Sequence, residues 1–335
     1  MKRISTLIVL FLLLNLLYAG KYRVNNTGGD AHFSNIPDAI AAASPGDTLY
    51  IEGTSITYAG FTLSKRLVLI GPGYFLAENT MTQSNPNPAT VNSFTLNDGS
   101  DGSVVQGLTV NGRITVSDSN IVITRNRFIT GDDICIAILS NMTNIVISQN
   151  YIRNTTGSWN NNPTMLLNNN ATGIIITNNI ILNTYGNGSC ITMASGTQAQ
   201  ITNNVIDRNL TLVNSNVYNN IMITGSTSLS VCNVQANIGN ATQFSLPDNK
   251  QNVDMNLVFQ NSFPSTDGKY QLIDDPSNPA IGYGLGGVDC GPFGTNSPYR
   301  LSGLPPVPAV YFFWGEPTGT NSGGLPTSVK VKTNR

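Results

Sequence analysis

Charged side chains are scarce in this chain of 335 residues. Only 10% of the residues are Asp, Glu, Lys or Arg, whereas about 25% is usual in soluble proteins. The 17 basic and 18 acidic residues nearly cancel. Nucleic-acid binding requires a basic stripe on the surface, and this composition does not supply one. We therefore expect no nucleic-acid partner and a surface that is close to neutral.

Histidine and cysteine are also rare, with one His and four Cys. Their spacing contains no metal-binding motif, so we expect no cofactor. A weak Ca²⁺ site at the adjacent Asp132 and Asp133 stays open, because paired carboxylates suit that ion. Cys135 and Cys190 lie in apolar runs and are expected to pack as small hydrophobic residues. Whether any of the four cysteines form disulfides is left open.

Beyond residue 20 the sequence has no apolar run long enough to cross a membrane. The single candidate, residues 7–17, is too short to span and follows Lys2 and Arg3. A basic start, a short apolar run and the small residues Ala19 and Gly20 are typical of a secretory signal peptide. The sequence thus predicts a signal peptide over residues 1–20. We expect the mature chain to be secreted, extracellular or at the cell surface, without a membrane span.

Asparagine is abundant, with 44 residues, and much of it belongs to a repeated phrase. In each copy an aliphatic residue lies three positions before an Asn, and an apolar residue lies two positions after it. The spacing between successive Asn residues is 24, 29, 25 and 16. A repeat of this period marks a solenoid, in which each copy forms one coil stacked on the last. The five repeated positions are Asn126, Asn150, Asn179, Asn204 and Asn220.

The two apolar positions of each phrase are five residues apart, so they cannot share one face of a straight strand. A corner at the Asn restores the alternation, and Asn tolerates the left-handed conformation that a corner needs. We expect stacked coils to pair as parallel strands around an interior of Ile, Val, Leu, Phe and Met. Equivalent Asn side chains would bond from coil to coil, with Gly107 at the same corner of an earlier coil. The alternative is an Asn-rich turn in a β-sandwich.

This pattern resembles the right-handed parallel β-helix of the pectin-lyase-like superfamily. Residues 36–43, followed by residues 47–51 and 65–71, are similar to the N-terminal cap and first coils of those proteins. The resemblance implies an all-β fold, a right-handed single-stranded parallel β-helix over residues 21–300. A short helical cap would cover its N-terminal end, and an irregular segment would close the other end. Residues 301–335 are expected to form an extended tail that packs on the helix.

The superfamily includes hydrolases, lyases, epimerases and inert surface proteins, so the fold does not assign a function. The segment Gly-Asp-Asp-Ile-Cys-Ile-Ala, which contains Asp132 and Asp133, is similar to a catalytic segment of polygalacturonase-type glycoside hydrolases. In that family such aspartates divide acid and base catalysis. Here Ile134 is inserted before Cys135, and the family's later His-Gly and Arg-x-Lys motifs are missing. A polysaccharide lyase, with a Lys or Arg base and Ca²⁺, is expected less.

A neutral, amide-rich surface suits neutral carbohydrates, although abundant Asn also simply reflects corners and loops. Residues 157–170 read as a loop that protrudes from one coil, and loops are where a solenoid usually carries specificity. Trp159 is a candidate for stacking on a sugar ring, with Tyr151 near the same flank and Asn160 and Asn161 as donors to hydroxyls. The leading hypothesis is a non-catalytic carbohydrate-binding or structural module, with a polysaccharide or cell-surface glycan as its partner. A hydrolase that uses Asp132 and Asp133 is the alternative.

Overall fold

Two long, all-parallel β-sheets dominate the computed structural model, which describes residues 19–131, 134–155, 162–184 and 186–333. One sheet has ten strands and the other fourteen, and an antiparallel pair lies near the C-terminus. Strands that are adjacent in a sheet come from successive coils, which is the arrangement of a parallel β-helix. The all-β solenoid predicted from the repeat is thus confirmed.

The ten-stranded sheet is the first face of the coil and receives one strand from each turn. Its in-register apolar residues point into the core while their neighbours point outward. In order, its strands are Lys21–Val24, Thr48–Ile51, Val68–Ile70, Val104–Gln106, Val122–Thr124, Val146–Ser148, Ile174–Thr177, Ala199–Thr202, Asn216–Tyr218 and Asn233–Gln235.

The fourteen-stranded sheet forms the second and third faces, which are joined where strands Thr90–Leu96 and Thr109–Val116 run through both. Thr62–Leu63 precedes them on the third face. In later coils a break separates the two faces. The second face continues with Arg127–Thr130, Tyr151–Asn154, Ile180–Asn183, Val205–Asp207, Ile221–Thr224 and Ile238–Gly239. The third face continues with Ile136–Ile138, Met165–Leu167, Ser189–Met193, Asn209–Val213 and Thr227–Ser230.

The repeated Asn residues stack between the first and second faces, as the ladder prediction requires. The Asn179 side-chain oxygen accepts from the backbone N (2.9 Å) and Nδ2 (3.0 Å) of Asn150. Its Nδ2 donates to the carbonyls of Ile147 and Thr177, both at 2.9 Å, and to Asn204 Oδ1 at 3.0 Å. The side chain is fully buried. Every polar atom of this amide therefore has a partner in its own or a neighbouring coil.

The ladder is longer than the sequence repeat indicated. Asn220 is followed by Asn237, whose Oδ1 accepts from Asn220 N at 3.0 Å. Asn237 N in turn donates to Asn249 Oδ1 at 2.9 Å. The repeated phrase does not reveal Asn237 because Gly239 takes the apolar position after it. The stack thus continues two steps beyond the last recognised copy.

The left-handed residue at this corner is one position earlier than predicted. Gly107 also aligns with that earlier position, because Leu108 N donates to Asn126 Oδ1 and so takes the place in the ladder. The ladder Asn is favoured for its amide bonds rather than for its backbone conformation, so both corner predictions were wrong. From Leu108 to Asn237, the position before each ladder residue has a left-handed backbone, which Asn tolerates, and this explains the Asn-Asn doublets. The residues at that position include Gly107 (φ 72°), Arg125 (φ 55°), Gln149 (φ 57°), Asn178 (φ 56°), Asn203 (φ 56°) and Asn219 (φ 58°).

A short helix, Ile36–Ala42, covers the N-terminal end of the solenoid, as predicted. Asn35 caps it by accepting from Asp38 N at 2.9 Å, and a Pro in the first turn suits a helix start. Ile36, Ala39 and Ile40 are buried in the main core. At the other end Phe244 is buried in the same core and closes it. Within the described ranges, no helix has the length and apolar character needed to cross a membrane.

Residues 253–304, here called the return segment, run back along the second face from the last coils toward the first. They contain only short 3-10 turns, at Met255–Leu257, Gly268–Tyr270 and Leu301–Gly303, so the irregular closure is confirmed. The return segment contacts the left-handed residues of successive coils, and its later residues contact the earlier coils. Arg125 donates to Leu304 O (2.9 Å), Gln149 to Ser297 O (3.1 Å) and Asn178 to Pro292 O (3.0 Å), and Asn219 accepts from Leu285 N (2.7 Å).

The return segment covers an apolar column on the outside of the second face. From Asn150 to Asn237, the residue after each ladder Asn points outward there, and successive coils place these residues in register. They are Tyr151, Ile180, Val205, Ile221 and Ile238, all nearly or fully buried. Their cover includes Val258, Phe259, Ala280, Cys290 and Tyr299. The second face is consequently closed to a ligand.

The last residues form an antiparallel hairpin of strands Pro308–Gly315 and Thr327–Thr333. It is joined to the solenoid by Ser84 N, which donates to Val310 O at 2.8 Å. Ala309 is buried at this junction, whereas most of the hairpin is exposed. The sequence predicted an extended tail with a last strand; the structure gives two paired strands that project from the solenoid.

Candidate functional site

The third face has an uncharged outer column that the return segment does not cover. Strand register places seven outward residues in one line along it. Neighbouring strands are about 4.8 Å apart, so the line offers hydroxyl groups on two strands, then Ala137 and Leu166, then hydroxyl groups on three more strands. Its residues are Thr95, Thr115, Ala137, Leu166, Thr192, Thr211 and Ser228, of which all but Ala137 are at least partly exposed.

The corner between the second and third faces adjoins this column, and coil pairing extends one residue past the second-face strands. Thr155 N donates to Thr130 O at 2.8 Å, and Thr184 N donates to Asn154 O at 3.0 Å. After these residues the chain leaves the sheet in three successive coils. Three loops, residues 131–134, 155–163 and 184–188, therefore begin side by side.

The same loops also return to the third face in register. Cys135 N donates to Thr164 O at 2.9 Å, and Thr164 N donates to Ser189 O at 2.8 Å. Thr164 is fully buried and its hydroxyl donates to Leu182 O at 3.0 Å. Because both ends of each loop are fixed by the stack, their sequence differences are confined to the surface of this corner.

The predicted site residues divide between two parts of the molecule. Asp132, Asp133, Trp159, Asn160 and Asn161 lie outside the described residues. The described residues on either side of them, Thr130 and Cys135 for the first segment and Thr155 and Thr164 for the second, pair with each other at the third-face corner. Their predicted roles stay predictions.

Tyr151 is in a different place, on the covered second face. Its ring packs edge-to-face on Phe75, with centroids 5.1 Å apart, and is only 3% exposed. Tyr74 and Tyr299 belong to the same cluster. The structure gives Tyr151 a packing role, and contact with a sugar would require the return segment to move. Its predicted binding role is not supported by this placement and stays untested.

Burial of these tyrosines predicts alkaline destabilisation. Desolvation raises the pKa of Tyr151 to about 12, and it raises the pKa values of Tyr74 and Tyr299 well above their ordinary range. The unfolded chain therefore releases these protons first, near pH 10, so the free energy of unfolding should fall as pH rises from about 10 to 12. For Tyr151 alone the loss is on the order of 2–3 kcal/mol.

Denaturant titrations at several pH values would measure this fall. Tyr151→Phe is the matched variant because Phe keeps the ring packing and removes the titrating hydroxyl. Its stability should fall less steeply above pH 10 than that of the parent protein. Equal slopes in the two proteins would contradict the assignment to Tyr151.

One coil beyond the third loop, the corner between the second and third faces holds an ion pair that the sequence did not indicate. Arg208 Nη1 donates to Asp207 Oδ1 at 2.6 Å, and the Thr224 hydroxyl also donates to that oxygen. Asp207 lies three strands along from the loop of residues 131–134, a separation of about 14 Å at ordinary strand spacing. Paired hydrolase carboxylates are about 5–10 Å apart. Asp207 is thus too distant from the described ends of that loop to form a catalytic carboxylate pair there.

The remaining sequence predictions concern possible metal ligands and the four cysteines. Among the described residues, no three His, Cys, Asp or Glu side chains cluster as metal ligands would. Cys135 and Cys190 are fully buried in the main core, which confirms their predicted packing. Cys190, Cys232 and Cys290 are free thiols, and Cys232 is half-buried. Burial raises the pKa of Cys290 to about 12, so its thiolate form is disfavoured.

Comparison of the chain with protein-family models, with curated proteins and with solved structures finds no match in any of the three. The repeat and the stacked sheets are therefore the basis for placing this chain among parallel β-helices.

Proposed function

We propose that this protein is a secreted or cell-surface, non-catalytic β-helix module that binds a neutral polysaccharide along the third face and its corner. One observation carries the proposal: the exposed third face has an uncharged, threonine-rich column directly beside the described ends of three loops. Neutral sugars are recognised by hydroxyl and amide hydrogen bonds and by flat aromatic surfaces. A linear polymer can contact equivalent positions of successive coils, which suits a repeating surface.

The loop of residues 155–163 supplies the remaining groups for such a site. It carries Trp159, Asn160 and Asn161, and its described ends lie at the third-face corner. The other faces are less suitable. The second face is covered, and the first face adjoins the corner that holds the return segment. The resemblance to the pectin-lyase-like superfamily, whose fold includes carbohydrate-active members, and the signal-peptide pattern agree with this proposal.

Binding can be measured by affinity electrophoresis in gels that contain neutral polysaccharides. Thr192→Lys places a long charged side chain in the third-face column and should weaken binding at least tenfold. Gln200→Lys is the matched control. Gln200 lies on the next strand along the chain after that of Thr192 and points outward from the first face. Trp159→Ala should also lower affinity about tenfold, which corresponds to roughly 1.4 kcal/mol.

Three outcomes would count against the proposal. Loss of binding with Gln200→Lys but not with Thr192→Lys would place the ligand on the first face. Equal binding by all three variants would exclude the third-face column and the Trp159 loop together. Failure of the parent protein to bind any neutral polysaccharide would leave only a structural role.

A glycoside hydrolase is the second candidate, favoured by the polygalacturonase-like segment that contains Asp132 and Asp133. Two carboxylates could act there as acid and base. The insertion of Ile134 and the missing His-Gly and Arg-x-Lys motifs are evidence against it. Incubation with plant and algal polysaccharides, assayed for reducing ends and for unsaturated products, tests hydrolase and lyase activity together. Any activity should vanish in Asp132→Asn or Asp133→Asn.

A further inference from the structure

The C-terminal hairpin, Pro308–Gly315 with Thr327–Thr333, exposes apolar side chains on both of its sides. One side is apolar in its middle and carries Thr327 and Thr333 at its two ends. The register pairs Val310 with Val331 and Phe313 with Val329, so these four residues share it. Phe313 is 63% exposed and Val331 is 56% exposed. Exposure of this extent on a two-stranded sheet marks an interaction surface.

The other side of the hairpin is aromatic and cationic. Phe312 and Trp314, both exposed, lie on it with the exposed Lys330. Lys332 is on the same side but is half-buried, because it pairs with the buried Ala309 and lines a cavity with Glu78 of the solenoid. Lys330 Nζ is 5.1 Å from the centre of the Phe312 ring. A partner that covers both sides must therefore accept aromatic rings, aliphatic groups and an ammonium group together.

The charge of the hairpin is opposite to that of the solenoid. Residues 308–335 have three basic residues and one acidic residue, a net charge of +2. Residues 21–307 have 12 basic and 17 acidic residues, a net charge of −5. Attraction to a negatively charged surface would therefore be concentrated at the hairpin, and the rest of the chain would be repelled from it.

We propose that this hairpin is a peripheral anchor that binds the surface of an anionic lipid membrane. Aromatic rings and lysines together are the residues that favour the membrane–water interface, and each lysine near an anionic surface adds about 1 kcal/mol. The hairpin strands pair only with each other. Their free backbone groups require water, so the hairpin lies among the headgroups and does not cross the hydrocarbon.

The position of the hairpin would leave the candidate sugar site free. Its root contacts Ser84, and the preceding Leu304 is held by Arg125 at the corner between the first and second faces. In a three-sided coil that corner lies opposite the third face. A membrane bound through the root region would thus lie across the solenoid from the threonine-rich column.

Sedimentation with vesicles tests the proposal on the full chain, without any sugar. Binding to phosphatidylcholine vesicles that contain phosphatidylglycerol should exceed binding to phosphatidylcholine alone and should fall with added salt. Phe313→Ser with Trp314→Ser should reduce binding at least tenfold. Val231→Ser is the matched control, because Val231 is 83% exposed on the solenoid itself and should bind like the parent.

A lysine variant separates the electrostatic part from the apolar part. Lys330→Gln should lower binding to the anionic vesicles about fivefold and leave binding to phosphatidylcholine nearly unchanged. Circular dichroism melts verify that each variant is folded.

The proposal is overturned if the parent sediments with neither vesicle, or if the hairpin variants bind as well as the parent. It is also overturned if light scattering shows a dimer that dissociates in Phe313→Ser, since the occupant would then be a second copy. Because no polysaccharide is present, these results are independent of the proposed sugar binding.

Discussion

Asn179→Ala should strongly destabilise the solenoid. The substitution leaves the buried Asn150 N without its acceptor, removes the side-chain donor to the Ile147 carbonyl and leaves the Thr177 carbonyl with Gln149 N as its donor. Each buried polar group without a partner costs about 1–3 kcal/mol, so we expect a loss on the order of 3–5 kcal/mol. Asn204→Ala should behave alike, because Asn204 makes the same set of bonds. Denaturant titration monitored by circular dichroism measures both.

Asn233→Ala is the control for these variants. Asn233 lies on an exposed part of the first face, outside the ladder, and its backbone is not left-handed. We expect its effect to stay within about 0.5 kcal/mol. If Asn179→Ala and Asn204→Ala unfold like the parent but lose polysaccharide binding, the ladder amides are binding residues and the interpretation given above is wrong.

Asp267→Ala should release the return segment from the solenoid. The Asp267 carboxyl group is fully buried and accepts from Asn79 Nδ2 (3.1 Å), Ser302 N (2.7 Å) and the Tyr299 hydroxyl (3.2 Å). The Tyr299 hydroxyl also bonds to that of Tyr74 at 2.7 Å. Removal of the carboxyl leaves Ser302 N without its acceptor, whereas Asn79 Nδ2 keeps Ser302 Oγ (2.9 Å) and the Tyr299 hydroxyl keeps Tyr74. A hydrogen bond to a charged group contributes about 1.5–3 kcal/mol, so we expect a loss on the order of 2–4 kcal/mol.

The site of proteolytic cleavage distinguishes release of the return segment from a general loss of stability. Limited proteolysis of Asp267→Ala should cleave within residues 260–304 under conditions in which the coils remain intact, because the bonds at risk are those of the return segment. Asp274→Ala changes an exposed carboxylate of the same segment and should be cleaved like the parent. If Asp267→Ala is cleaved first within the coils, or no faster than the control, Asp267 does not hold this segment in place.

The stacking of the coils was predictable because each copy of the repeat contains the same pair of apolar positions on either side of an Asn. Phe128 and Ile123 are five residues apart, both are fully buried, and only a corner between them allows this. The ladder position followed from the repeat itself. The left-handed position did not, because Arg125 and Gln149 occupy it as well as Asn, so no single residue type marks it.

The cover over the second face was not predicted, although the sequence contains a signal for it. In later copies the residue after the ladder Asn is apolar, as with Ile180, Val205 and Ile221. Its outward direction follows from the alternation of a strand, and outward apolar residues in consecutive coils indicate a covering segment. The same alternation puts Tyr151 under that cover rather than beside the loop that contains Trp159.

The candidate site could be predicted only in part. Residue types suggested Asp132, Asp133 and Trp159, but these residues are far apart in sequence relative to the length of a strand. The described residues that precede these segments, Thr130 and Thr155, share a corner because of the number of residues in each coil, which their pairing establishes. The threonine column was not recognised because each coil contributes only one outward residue to it.

The return segment has a consequence for the cooperativity of unfolding. In a simple solenoid each coil contacts only its neighbours, so the terminal coils can fray independently of the middle. Here bonds from Arg125, Gln149, Asn178 and Asn219 attach one continuous segment to coils along most of the stack. A terminal coil cannot separate without loosening a segment that its distant neighbours share. Local opening is thereby converted into a global event, and the solenoid should behave as one unit rather than as a row of independent repeats.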